Sequence, residues 1–268
     1  MAMDLSRRHF GAGALAAAGV AAFAPLAWAA PAGEPLTLSS AINKAGRQRM
    51  LTQRLGKAWA MRALDVEPEL AAKIRRLSEA LFISQLGELQ RTTPTHEIAA
   101  AAAELGQAWE IYRGSLTLAP NKENAVRVYT SGDDALRRAH ALTVLYEKQQ
   151  GTPQGRLVNI AGRQRMLSQR MARAFYFGKF GVALDTATDL ATARKEFVAG
   201  LDELVHAPQN TPVIKQELTL AEHQWVFFQA SLDGRIHGAA ADKDVATTSE
   251  RILEQLNVVT AKYEVLAG

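Results

Sequence analysis

Arg49 and Arg165 have surroundings that an arginine rarely has. Each lies within a copy of the heptapeptide Ala-Gly-Arg-Gln-Arg-Met-Leu, at residues 45–51 and 161–167. A hydroxyl residue and Gln-Arg follow each copy: Thr52-Gln53-Arg54 and Ser168-Gln169-Arg170. On a helix of about 100° per residue, Arg49 shares a stripe with Ala45, Gly46, Thr52, Gln53 and Gly56. Arg165 shares one with Ala161, Gly162, Ser168, Gln169 and Ala172. Small residues along a stripe let a second backbone approach closely, and glycine accepts a loss of helix propensity to permit it. An arginine there is partly desolvated, and a buried guanidinium is costly unless it is paired. The sequence supplies no local partner. From Pro35 to Leu64 there are six basic residues and no acid, and from Lys148 to Leu184 seven and none. Either a carboxylate arrives from another helix, or an anion comes from outside. A small planar oxyanion could accept hydrogen bonds from two facing guanidinium forks. Thr52, Ser168, Gln53 and Gln169 could add donors without adding charge. A solvated basic face is the plainer reading, and it suits Arg47, Arg54, Lys57, Arg163, Arg170 and Arg173. For Arg49 and Arg165 an anion site is the favoured expectation.

Other chemistries find little support. The chain has no cysteine, which excludes disulfides, thiolate metal sites and cysteine nucleophiles. Its six histidines are scattered, and none stands at metal-ligand helical spacing from another. No nucleophile–base pair, paired catalytic carboxylates or phosphate loop is visible. The expectation is a protein that is not an enzyme and needs no metal or cofactor.

The elements that must position the arginines are helical. Of 268 residues, 48% are hydrophobic and 22% charged, the balance of a globular protein. Prolines divide the chain after residue 30 into segments rich in Ala, Leu, Glu, Gln, Lys and Arg. No run alternates in the manner of a strand. Thr93-Pro94 and Ala119-Pro120-Asn121 read as helix starts with proline in the first turn. Helices are expected near 36–66, 68–92, 95–118, 121–150, 155–180, 183–206, 212–234 and 242–266.

The repeat extends well beyond the heptapeptide. Asn43 and Asn159, Trp109 and Trp225, and Leu116 and Leu232 are each 116 residues apart. After one inserted residue the spacing becomes 117, as in Val128 and Val245, Leu136 and Leu253, Thr143 and Thr260, and Tyr146-Glu147 and Tyr263-Glu264. Matches at the start, middle and end of both halves imply tandem duplication of a whole domain. The expected fold is all-α: two four-helix bundles, residues 36–150 and 154–267, joined by a hinge at Gln149–Gly155. Related by a pseudo-dyad, the bundles would bring their first helices together and point Arg49 and Arg165 at one space.

Residues 1–29 stand apart. Ser6-Arg7-Arg8-His9-Phe10, the Ala/Gly-rich run Gly11–Leu26 and the Ala27-Trp28-Ala29 cleavage pattern read as a twin-arginine-type export signal. A periplasmic location follows as an expectation. It makes nucleic acid an unexpected partner despite the formal charge of +4.

The segments Asn43-x-Ala45-Gly46-x-x-Arg49-Met50 and Asn159-x-Ala161-Gly162-x-x-Arg165-Met166 resemble the first-helix motif of the PilJ-type sensor domain. That domain occurs in type IV pili methyl-accepting chemotaxis transducers and is similar to the periplasmic domains of nitrate/nitrite sensor kinases. The resemblance implies a four-helix bundle whose first helices pair across a dimer and bind nitrate through the motif arginine. It assigns that role here to Arg49 and Arg165, with Gly46 and Gly162 giving close access. Receptors of the family carry transmembrane helices and signalling modules, which this chain is expected to lack. The resulting expectation is a periplasmic protein that binds or senses nitrate or nitrite and reports to a membrane chemoreceptor or sensor kinase. The alternative is a helical interaction protein that docks its basic first helices on an acidic partner or a membrane surface.

Overall fold

A computed structural model describes residues 36–233 and 239–268. The export signal expected over residues 1–29 lies outside them. Among the described residues there are eight helices and no strand: α1 (Leu38–Ala63), α2 (Pro68–Arg91), α3 (His96–Leu116), α4 (Lys122–Gln150), α5 (Pro153–Phe180), α6 (Thr186–Val205), α7 (Pro212–Leu232) and α8 (Ala239–Ala267). No described helix is long and apolar enough to cross a membrane.

The helix starts follow capping chemistry. Thr37, Thr95, Asn121, Thr152 and Thr211 hold extended backbone and accept a hydrogen bond from the amide three residues on. Pro68, Pro153 and Pro212 occupy first turns, where a missing amide hydrogen is harmless. Pro94 and Pro120 correct the sequence expectation. Each precedes the cap and stands outside the first turn, because Thr95 and Asn121 bring side-chain acceptors that proline lacks. The α4–α5 connection is tight, with Gly151 left-handed at φ 65° and Thr152 already the cap of α5.

The eight helices form two clusters, α1–α4 and α5–α8, whose first helices are also packed together. α1 lies against α2, α4 and α5, while α5 lies against α6, α8 and α1. α3 rests on α4, and α7 on α8. The outer cores repeat each other. Trp109 stacks on Phe82 with ring centroids 3.9 Å apart, and Trp225 meets Phe197 at 4.6 Å. The buried hydroxyl of Tyr146 donates to the Thr92 carbonyl at 2.7 Å, and that of Tyr263 donates to Asn210 Oδ1 at 2.6 Å. Each tyrosine thereby ties the end of a long helix to the loop between the second and third helices of its own cluster.

A helix surrounded by neighbours has no solvent face for its polar residues. The stripe Leu51, Leu55, Ala58 and Trp59 is buried as the helical period implies, yet Gln48, Arg49, Thr52, Gln53 and Lys57 are buried too. The same holds on α5 for Gln164, Arg165, Ser168, Gln169 and Arg173. Lys57 and Arg173 therefore do not belong to a solvated basic face. Single-helix periodicity assumes one buried side, whereas α1 and α5 are each enclosed on nearly all sides.

Candidate functional site

Where α1 and α5 cross, Gly46 faces Gly162. A Cβ built on Gly162 would lie 3.9 Å from the Gly46 Cα, an ordinary van der Waals contact, so the two helices pass close together there. The same point lies 3.3 Å from Arg165 Nη2 and 3.5 Å from Arg49 Nη2. Seen from Gly46, those nitrogens stand at 3.9 Å and 3.1 Å. Both guanidinium edges thus converge on the glycine crossing, with Arg49 1% and Arg165 0% exposed.

Their immediate acceptors come reciprocally from the other half. Arg49 Nη2 donates to Asn159 Oδ1 at 2.6 Å and to the Asn159 carbonyl at 3.2 Å. Arg165 Nη2 donates to Asn43 Oδ1 at 2.8 Å and to the Asn43 carbonyl at 3.2 Å. Behind these neutral acceptors stand the missing acids. Asn159 Nδ2 donates to Glu147 near the end of α4, and Asn43 Nδ2 donates to Glu264 near the end of α8. Carboxylates do arrive from other helices, but each reaches its arginine through an asparagine.

The second prong differs between the halves. Arg49 Nη1 is 3.2 Å from His140 Nδ1 on α4, while Arg165 Nη1 donates to Asn257 Oδ1 on α8 at 3.1 Å. His140 and Asn257 occupy equivalent places in the repeat, so one half carries a titratable group where the other carries an amide. Nε of both arginines is buried without an acceptor among the described residues.

The electrostatics reflect a shortage of negative charge. Burial, then the charge of Arg163, holds the Arg49 guanidinium below its ordinary value, with Glu147 opposing. Burial, then Arg47 and Arg49, pushes Arg165 well below its ordinary value, with Glu264 opposing. Arg47 is lowered by burial as well, against Glu264 and Glu88. Such a cluster of cations favours an added anion over a neutral or cationic ligand.

The remaining sequence candidates sit one turn further along. Thr52 and Ser168 donate their hydroxyls to the carbonyls of Arg49 and Arg165 at 2.7 and 2.9 Å. Gln53 Nε2 donates to the Thr52 hydroxyl at 3.1 Å, and Gln169 Nε2 donates to the Ser249 carbonyl at 2.8 Å. The crossing itself gathers Arg49, Arg165, Gly46 and Gly162. The four polar residues bond backbone or one another below it.

Sequence reasoning missed His140, Asn257 and the acceptor role of the asparagines. His140 and Asn257 fall within the span of 117-residue spacing but differ in type, so matching identical residues passes over them. Asn43 and Asn159 were visible only as motif letters, because their acceptor role needs the opposite helix in place.

His140 gives the site a pH signature. Burial, then Arg49 and Arg163, holds its imidazole below the ordinary value, with Glu196 opposing. The unfolded chain therefore binds the proton more readily, and stability falls as pH drops below about 6.5. His140→Asn, which copies the other half, should flatten that part of the curve in thermal melts between about pH 7.5 and 5. An unchanged slope would show that His140 does not report on the cluster.

Two segments of the chain, residues 36–141 and 148–260, match the family described as PilJ: Type IV pili methyl-accepting chemotaxis transducer N-term. No curated protein and no solved structure matches the chain.

Proposed function

The chain belongs to the PilJ family, and on that premise we propose that it senses one small oxyanion, nitrate or nitrite, at the α1–α5 crossing. In this reading Arg49 and Arg165 are the ligands, and Gly46 and Gly162 give the anion close access. Thr52, Ser168, Gln53 and Gln169 form the polar layer beneath it. The protein acts in the periplasm after export through residues 1–29, catalyses nothing, and reports to a membrane chemoreceptor or sensor kinase.

The observation that carries the reading is the convergence of two buried guanidinium edges on one glycine crossing, with only neutral atoms accepting from them directly. Two like charges held this close in a low-dielectric seam repel, and a shared planar oxyanion turns that repulsion into two attractions. A basic docking surface is less well supported, since it needs exposed cations on α1 and α5. Lys57 and Arg173 are buried, while Arg54 and Arg170 are held by Glu250 and Asp189.

Calorimetric titration of the exported form with nitrate, nitrite, acetate, chloride and sulfate tests the proposal. One planar oxyanion should bind saturably per chain, because the two arginines share a single space. Absence of binding across the panel, or equal weak responses to every anion, would refute it.

A further inference from the structure

Resting on that reading, we propose that Asn43 and Asn159 are positioning residues that compete with the oxyanion and pass its arrival to α8 and α4. The orientation of each amide is chemically determined. A guanidinium can only donate and a carboxylate can only accept, so Oδ1 must face the arginine and Nδ2 the glutamate. Each asparagine is a one-way link from an α1–α5 guanidinium to an outer helix: Arg49–Asn159–Glu147 on α4, and Arg165–Asn43–Glu264 on α8.

On each arginine, the asparagine side chain and carbonyl take both hydrogens of Nη2, the nitrogen that approaches the glycine crossing. An oxyanion bridging the two Nη2 groups must displace at least the Oδ1 atoms. A released Oδ1 leaves its amide held only by the glutamate at the far end, so the asparagine link opens and each arginine keeps only its Nη1 contact to the outer helix, His140 on α4 or Asn257 on α8. Both glutamates lie in the last turn of their helices, beside the α4–α5 turn and the carboxyl end of α8. The Asn43 and Asn159 exchange would therefore be felt at one end of the molecule, where Ser39 also bonds the Gly268 carbonyl.

An asparagine that helps bind the anion and one that competes with it predict opposite signs. With sodium nitrate as the probe, Asn43→Ala/Asn159→Ala should bind more tightly than wild type, by about fivefold or more, because a charge-assisted hydrogen bond no longer has to be given up. The double variant should melt lower without nitrate and show a larger nitrate-dependent rise in Tm. Each single variant should carry the same sign, so the test survives if the double variant does not fold. Asn159→Asp, which places a carboxylate permanently on Arg49, should weaken nitrate binding at least about tenfold. Weaker or unchanged binding in the alanine variants, with wild type still binding, would overturn the displacement and leave the anion site standing. Failure of wild type to bind nitrate would overturn both.

Discussion

Arg49→Ala and Arg165→Ala are each expected to remove most oxyanion binding, and by similar amounts. A hydrogen bond to a charged group contributes about 1.5–3 kcal/mol, so losing one guanidinium fork should weaken affinity at least about tenfold. The similarity follows from the geometry: each arginine's Nη2 takes its acceptors from the opposite half, at closely matched distances. The double variant should be little worse than either single one, since both groups hold one ligand and act as a unit. Arg49→Lys keeps the charge but loses the planar fork, and should recover only part of the binding. Arg47→Ala and Arg163→Ala should weaken it slightly, because those residues act on the buried pair through charge alone. Titration calorimetry on all six proteins, with thermal melts as the folding control, would decide the matter. Saturable binding that survives loss of both Arg49 and Arg165 would refute the shared site, and graded losses at every arginine would favour a diffuse basic patch.

How much of this was legible follows from what each feature needs. The duplication and the helices were readable, because heptapeptide, proline and capping signals are local. The motif pointed to Arg49, Arg165, Gly46 and Gly162, and the fold brings those four to one crossing. The partners of the basic residues were not readable, since they come from helices far away in sequence: Glu147 and Asp133 on α4, Asp189 on α6, Glu250 and Glu264 on α8. Lys57 and Arg173 were misplaced for a related reason. A helical wheel cannot reveal that a second cluster covers the side it leaves to solvent. Gly56 held a partial clue, because a Cβ there would lie 2.9 Å from Arg173 Cδ. A glycine opposite an arginine marks where the long side chain must pass, but only once the neighbouring helix is known.

The largest loss of stability is expected from Glu250→Gln. Glu250 on α8 accepts from Lys57 Nζ at 2.6 Å and from the guanidinium of Arg54, both on α1. Burial alone would raise its carboxyl, but Lys57 and Arg54 outweigh that effect and bring it down to about 2. Burial likewise lowers Lys57, with Glu250 opposing. A depressed folded value means that the stabilisation is fully present above the ordinary glutamate value of 4.5 and is lost as pH falls toward about 2. The shift corresponds to roughly 3 kcal/mol. Glu250→Gln at neutral pH also leaves the Lys57 ammonium buried without a counter-charge, a situation that typically costs about 3–5 kcal/mol. Lys57→Met added to Glu250→Gln should restore much of the loss, because an apolar side chain tolerates the same site. At the equivalent place in the other half, Arg173 donates to Asp133 at 2.7 Å and also lies 3.7 Å from the centre of the Tyr129 ring. Asp133 is more exposed than Glu250, so Asp133→Asn should cost less. These reciprocal pairs, α1 to α8 and α5 to α4, hold the two halves in register along the seam. A slip of one helical turn would carry Arg49 about 5.4 Å away from Arg165, which ties the ion pairs to the site above them. Denaturant unfolding near pH 7 and pH 3 would measure all of this. Equal losses from Glu250→Gln and Asp133→Asn, or no recovery with Lys57→Met, would refute the account of the seam.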